Sequence, residues 1–203
     1  MTIRQLHFYV GLYFLLFIWL FSISGLFLNH PKWEFTRFWP QRDEASSGHA
    51  IETPLATGDI AMARELMTQL AIAGELDEVR RTADTDRLAF RVVRPGLAVN
   101  VEAALATGRA TVTETRVNTY GLLDALHQFT GVAMDAPQKE RDWLLTRIWS
   151  VAMDALAIGL IGMVASGVYL GYRLRRKRRM GMIVFAAGTT CCAFFVFGLA
   201  LMY

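Results

Sequence analysis

Apolar residues in this chain fall into three long blocks, separated by a central stretch of short, alternating runs. The first block runs from about Leu6 to Leu28. The second ends at Tyr172 after an amphipathic lead-in from Trp143, and the third runs from Met180 to Tyr203. A hydrocarbon core of roughly 30 Å takes ~20 apolar residues in helical form, so each block predicts a transmembrane helix. The first block follows Arg4, is too long for a signal-peptide core and has no small-residue cleavage site after it. It reads as an uncleaved signal-anchor with its N-terminus in the cytoplasm.

The stretch from 29 to 142 carries shorter periods. Pro31 to Pro54 reads as a mixed loop. Asp59 to Ala73 reads as an amphipathic helix, with Ile60, Ala63, Met67 and Leu70 on one stripe and Gly74 placed to stop it. Leu88, Phe90 and Val92 then alternate with polar or small residues, Pro95-Gly96 turns the chain, and Val99, Val101, Ala103 and Leu105 alternate again. Arg109 to Asn118 supplies a third strand after the Thr107-Gly108 turn, and Asp77 to Thr82 a further one. The pattern predicts a small α+β domain, one helix on a three- or four-stranded antiparallel meander. Between about 120 and 134, Leu122, Leu123, Leu126 and Phe129 fit an amphipathic helix lying on a membrane surface.

Charge sets the expected orientation. Six of the 21 Lys and Arg residues sit between the second and third blocks, as Arg173, Arg175, Arg176, Lys177, Arg178 and Arg179. A basic run at helix ends is held on the cytoplasmic side. This topology anchor places residues 173–179 inside, and the central domain and the C-terminus in the periplasm. Mean hydropathy is +0.31 and the pI about 9.1. With the basic excess concentrated at helix ends, that pI marks contact with membrane lipids and not a nucleic-acid footprint.

Enzymatic signals are sparse. The two cysteines, Cys191 and Cys192, are neighbours within an apolar block, so thioredoxin-type redox motifs and c-type haem attachment are excluded. No nucleophile elbow, phosphate-binding loop, zinc-protease motif or dinucleotide fingerprint is present.

Two short motifs recur in the same order. Leu6-His7-Phe8-Tyr9-Val10-Gly11 matches Leu126-His127-Gln128-Phe129-Thr130-Gly131 as L-H-x-x-x-G. Ser24-Gly25-Leu26-Phe27-Leu28 matches Ser166-Gly167-Val168-Tyr169-Leu170 as S-G-x-aromatic-L. Small residues near a span's end let helices approach closely, so Ser24, Gly25, Ser166, Gly167 and Gly171 are read as helix-packing positions. Together with S-G-L-F-L-N-H, R-V-V-R-P-G, L-A-T-G-R-A and S-G-V-Y-L-G-Y-R-L-R-R-K-R-R, these motifs resemble bacterial PepSY-associated transmembrane proteins. The resemblance covers most of the chain and implies an inner-membrane protein with a periplasmic PepSY domain. Such families include haem-containing reductases of ferric siderophores, and PepSY domains are also linked to modulation of partner proteins.

Haem b needs axial ligands from both faces, commonly two neutral imidazoles. Of His7, His30, His49 and His127, the expected outer-side pair is His30 and His127. His7 lies at the inner end of the first span with no second histidine near it, and His49 falls in a solvated loop. One in-chain haem does not make an electron path across a membrane. The sequence therefore favours a non-catalytic subunit that joins other inner-membrane proteins in a redox or metal-handling assembly. A single-haem electron-transfer protein or ferric-siderophore reductase is the alternative, and a PepSY-type regulator of a periplasmic protein a third.

Overall fold

A computed structural model describes residues 2–82, 86–129, 143–173 and 178–201. Three of its helices are long and apolar enough to cross a membrane: Ile3–Asn29, Leu144–Arg173 and Arg178–Gly198. The full helices are α1 (Ile3–Asn29), α4 (Leu144–Arg173) and α5 (Arg178–Leu201). Each lies within a few residues of its expected block. Of the basic run, Arg173, Arg178 and Arg179 are described. Arg175, Arg176 and Lys177 lie outside the described residues, as does the 130–134 end of the expected surface helix.

The chain divides into two compact units, residues 1–18 with 153–203, and residues 19–152. In the first unit α1 and α4 run antiparallel. Met163 Cε lies 3.3 Å from where a Gly11 Cβ would stand, and the Phe14 ring occupies the space a Gly159 side chain would need. The glycines let large side chains of the opposite helix close onto backbone, which is how apolar helices associate without a hydrophobic driving force. Where α4 and α5 meet the basic run, the Arg173 guanidinium lies 5.5 Å from the Tyr169 ring centroid and that of Arg178 lies 3.7 Å from Tyr172. Arginine over tyrosine at a helix end is an interfacial arrangement, with the charge kept toward the headgroups.

The second unit contains a five-stranded antiparallel sheet ordered β1-β5-β4-β3-β2. Its strands are β1 (Asp43–Ala50), β2 (Glu75–Thr82), β3 (Arg87–Arg94), β4 (Leu97–Ala104) and β5 (Arg109–Arg116). Period-2 alternation sends Leu88, Phe90, Val92, Val99, Val101, Ala103, Ala110 and Val112 to one face, where helix α2 (Asp59–Gln69) covers them with Ala63, Leu66 and Met67. Leu66, Leu76 and Leu88 are fully buried there. The opposite face is polar. Arg91, Asn100, Thr113 and Ser46 form one cross-strand row, and Val93, Ala98, Thr115 and Glu44 the next.

Two expectations need correcting. The segment Pro31 to Pro54 is not all loop, because β1 forms within it as an edge strand paired along its whole length with β5. All eight β1 residues are exposed, so no apolar alternation marks it. Helix α2 ends at Gln69, not Ala73. Ala71 takes a left-handed conformation (φ 54°), and the amides of Ala71 and Ile72 donate to the carbonyls of Thr68 and Met67. That is a Schellman closure built on alanine. Gly74 (φ +151°) serves a different need: a side chain there would meet the Val92 methyl at 2.8 Å and the Val93 carbonyl oxygen at 2.9 Å.

Because left-handed alanine is strained, Ala71→Gly should stabilise the sheet domain by up to about 1 kcal/mol. Thermal unfolding in detergent should show a higher midpoint. An unchanged or lower midpoint would contradict the closure described here.

Candidate functional site

The repeated motifs meet each other crosswise. In the first unit, His7 Nδ1 on α1 lies 2.8 Å from Ser166 Oγ on α4. In the second, His127 Nδ1 lies 2.7 Å from Ser24 Oγ on α1. His127 belongs to helix α3 (Thr119–Gln128), whose first turn is capped by the Asn118 side chain accepting from the amides of Tyr120 and Gly121. The histidine of each L-H-x-x-x-G copy thus bonds the serine of the other S-G copy.

Each serine hydroxyl also faces carbonyls of its own helix. Ser24 Oγ donates to Leu20 O at 2.8 Å, and Ser166 Oγ to Gly162 O at 2.7 Å. A hydroxyl has one proton. With that proton on the carbonyl one turn back, Oγ accepts and the imidazole donates from Nδ1–H, the tautomer that leaves Nε2 with a free lone pair and that a second group imposes on a ligating histidine. With the proton turned to the ring, Nδ1 accepts instead. The following glycine gives the ring clearance. A Cβ at Gly25 would stand 3.3 Å from His127 Cε1, and one at Gly167 3.7 Å from His7 Cε1. Ser24 is only 2% exposed, so its clasp is shielded from competing water.

Aromatic rings surround the second clasp. Phe21 lies 5.1 Å from the His127 ring and 6.4 Å from Trp149, whose indole N–H donates to Phe129 O at 3.2 Å. Farther along, Phe27, Phe35 and Tyr120 stack edge to edge at 5.6–5.7 Å and join the end of α1 to α3. One turn before His127, burial raises the Asp124 carboxyl above its ordinary value of 3.8. A side-chain hydrogen bond with Gln128 and the nearby His127 act in the lowering direction.

His30 is placed differently from its expected partner. It follows α1, is exposed, and stacks on Trp33 with ring centroids 4.3 Å apart. His49, on β1, is hydrogen-bonded through Nε2 to Ser47 at 2.8 Å. Ser24, Gly25, Ser166 and Gly167 each receive an imidazole, whereas nothing lies within 4 Å of a Cβ built at Gly171. Among the described residues, no three His, Cys, Asp or Glu side chains gather into a metal-binding group. The partner of His7 is a serine and not a second histidine. The signal was the repeat itself, taken crosswise.

A double-mutant cycle on Ser24→Ala and His127→Ala should return a coupling of about 1 kcal/mol in unfolding free energy. Additive losses would mean that the two side chains do not share the bond.

No curated protein and no solved structure matches the chain. A family model does, over residues 1–199. The chain, with its membrane-spanning helices and its sheet domain, belongs to the PepSY_TM-like family.

Proposed function

We propose that this chain is a non-catalytic, partner-binding subunit of a redox or metal-handling assembly in the bacterial inner membrane. Its N-terminus and basic run lie in the cytoplasm and its sheet domain in the periplasm. The observation that carries the reading is α5. From Arg178 to Phe197 every side chain except Ala193 is exposed. One side of the helix is a shallow groove of small residues, Gly188, Thr189, Cys192 and Ala193, flanked by Phe185 and Phe197. Lipid tails need no groove, whereas a neighbouring helix gains close van der Waals contact from one. The orientation rests on the basic run and the positive-inside bias.

A second reading, a single-haem b electron-transfer protein, is favoured by the free Nε2 of His127. Its donor chemistry fits an axial ligand, with the second ligand drawn from His30 or from a partner. Haem, when bound, supplies one-electron chemistry. The chain's own contribution is to hold the His127 tautomer through Ser24 and to exclude water with Phe21 and Trp149.

Cys191 and Cys192 are both free and exposed, and neighbours on a helix point about 100° apart. In native membranes a lipid-soluble maleimide should label Cys191 faster than Cys192, and the difference should vanish once the chain is purified alone in detergent. Equal labelling in membranes would remove the support for a partner on that groove. For the second reading, a dithionite-reduced spectrum of the gently purified protein should show a b-type band, and its absence would sink that reading.

A further inference from the structure

The two edges of the sheet are built differently. At one edge, β2 breaks register with β3 between Leu76 and Glu78 and carries Glu78, Arg80 and Arg81. A bulge and charged side chains are the usual guards of an edge strand. At the other edge, β1 pairs with β5 at every position from Asp43 to Ala50 without a bulge. It holds no proline and no lysine, and its eight residues are all exposed, with small Ser46, Ser47 and Gly48 at the centre. An edge of this kind is a template for a further strand.

Hydrogen bonding fixes which groups point outward. The amide of Ile51 donates to Gly108 O, and on the far side of β5 the amide of Val117 donates to Gly96 O. Bonded and non-bonded pairs alternate along an antiparallel ladder. Asp43, Ala45, Ser47 and His49 therefore bond β5, and Glu44, Ser46, Gly48 and Ala50 turn their N–H and C=O groups to the open edge. An added antiparallel strand must meet these four with outward groups of its own. A second copy of β1 does so with Ser46 opposite Ser46 and Glu44 opposite Gly48. That register sets Asp43 of each copy opposite His49 of the other, once on either side of the symmetry axis. Asp43 has no ion pair among the described residues. His49 bonds Ser47 through Nε2, which leaves Nδ1 for a carboxylate. Shifting one strand by two residues puts Ser47 opposite Ser47 and Asp43 opposite Ile51, and the charged pairs are lost.

From this self-complementarity we propose that β1 is a homodimer edge, through which two copies of the chain join their five-stranded sheets into one continuous antiparallel sheet. The twofold axis of such a pair stands perpendicular to the sheet, so both polar faces stay on the same side. Helix α3 lies over that face, with Gly121 and Ala125 across a cavity from Ala98, Asn100 and Thr115, and it reaches the end of α1 through Tyr120 and Phe27. Both copies thus direct the last turns of α1 to one side, as two chains in one membrane must. A single edge ladder is a small interface, and confinement to a shared membrane raises the effective concentration of the two edges. The proposal stands independently of the partner-subunit reading, which rests on α5.

The test is disulfide trapping of the full chain in its native membranes, with Cys191→Ser and Cys192→Ser removing the natural thiols. Ser46→Cys should give a covalent dimer under mild oxidation, because directly opposite Cα atoms about 5.5 Å apart suit a disulfide. Ser47→Cys, displaced by two residues from its own copy, should cross-link about tenfold more slowly. Added to Ser46→Cys, His49→Asp sets carboxylates against each other and should cut trapping by about tenfold. Adding Asp43→His to that variant exchanges the two side chains, restores the charged pair and should restore trapping. The rescue separates strand pairing from general loss of fold. No dimer from Ser46→Cys, trapping of Ser47→Cys at an equal or higher rate, or failure of the exchange to rescue would each overturn the proposal. A cross-linked species of a mass other than twice the chain would also overturn it, and would assign the edge to a strand of another protein.

Discussion

A serine hydroxyl carries one proton, and in both clasps that proton has a backbone carbonyl one turn back to receive it. Everything proposed for the two histidines follows from this constraint. With the proton committed to the helix, Oγ of Ser24 and of Ser166 can only accept. The imidazoles then donate from Nδ1, and their Nε2 lone pairs are left free. The glycine after each serine keeps the ring close enough for the bond to form. The S-G pair thus acts as a socket for an imidazole, a more specific role than close helix approach.

Helix α3 carries this constraint into the sheet domain. One side presents Tyr120 and His127 to the last turns of α1. Another presents Gly121, Asp124 and Ala125 to the polar face of the sheet. Gly121 has no alternative here, since a Cβ would stand 2.6–2.7 Å from Val117 and Phe38. The sheet fixes α3 from below and the Asn118 cap fixes its start. The orientation of His127 is therefore set by the packing of α3 on the sheet, and Asp124 on the same helix interacts electrostatically with His127.

Much of the fold was legible in the chain because one-sided burial leaves a period. Strands β3, β4 and β5 alternate because α2 covers a single face, and the spanning helices announce themselves by length and apolarity. Strand β1 was not legible because burial does not select its residues: Asp43-Glu44-Ala45-Ser46-Ser47-Gly48-His49-Ala50 is held by its ladder to β5, and any polar, flexible loop reads the same way. The end of α2 was misplaced because glycine is the usual left-handed closer, and Ala71 does that work under strain. At the site, His127 stood out but its partner did not. A histidine invites a search for another histidine or a carboxylate, and a serine already satisfied by its own helix gives no sign that it also accepts from a ring 103 residues away.

The most direct test of this account is the protonation state of the two rings. Nitrogen-15 solid-state NMR of histidine-labelled protein in lipid bilayers at neutral pH resolves protonated and bare imidazole nitrogens, and His7→Gln and His127→Gln assign the signals. The account requires a proton on Nδ1 and a bare Nε2 at both residues. Nε2–H tautomers at both positions would mean that the serines donate to the rings and would remove the basis for reading either histidine as a prepared ligand.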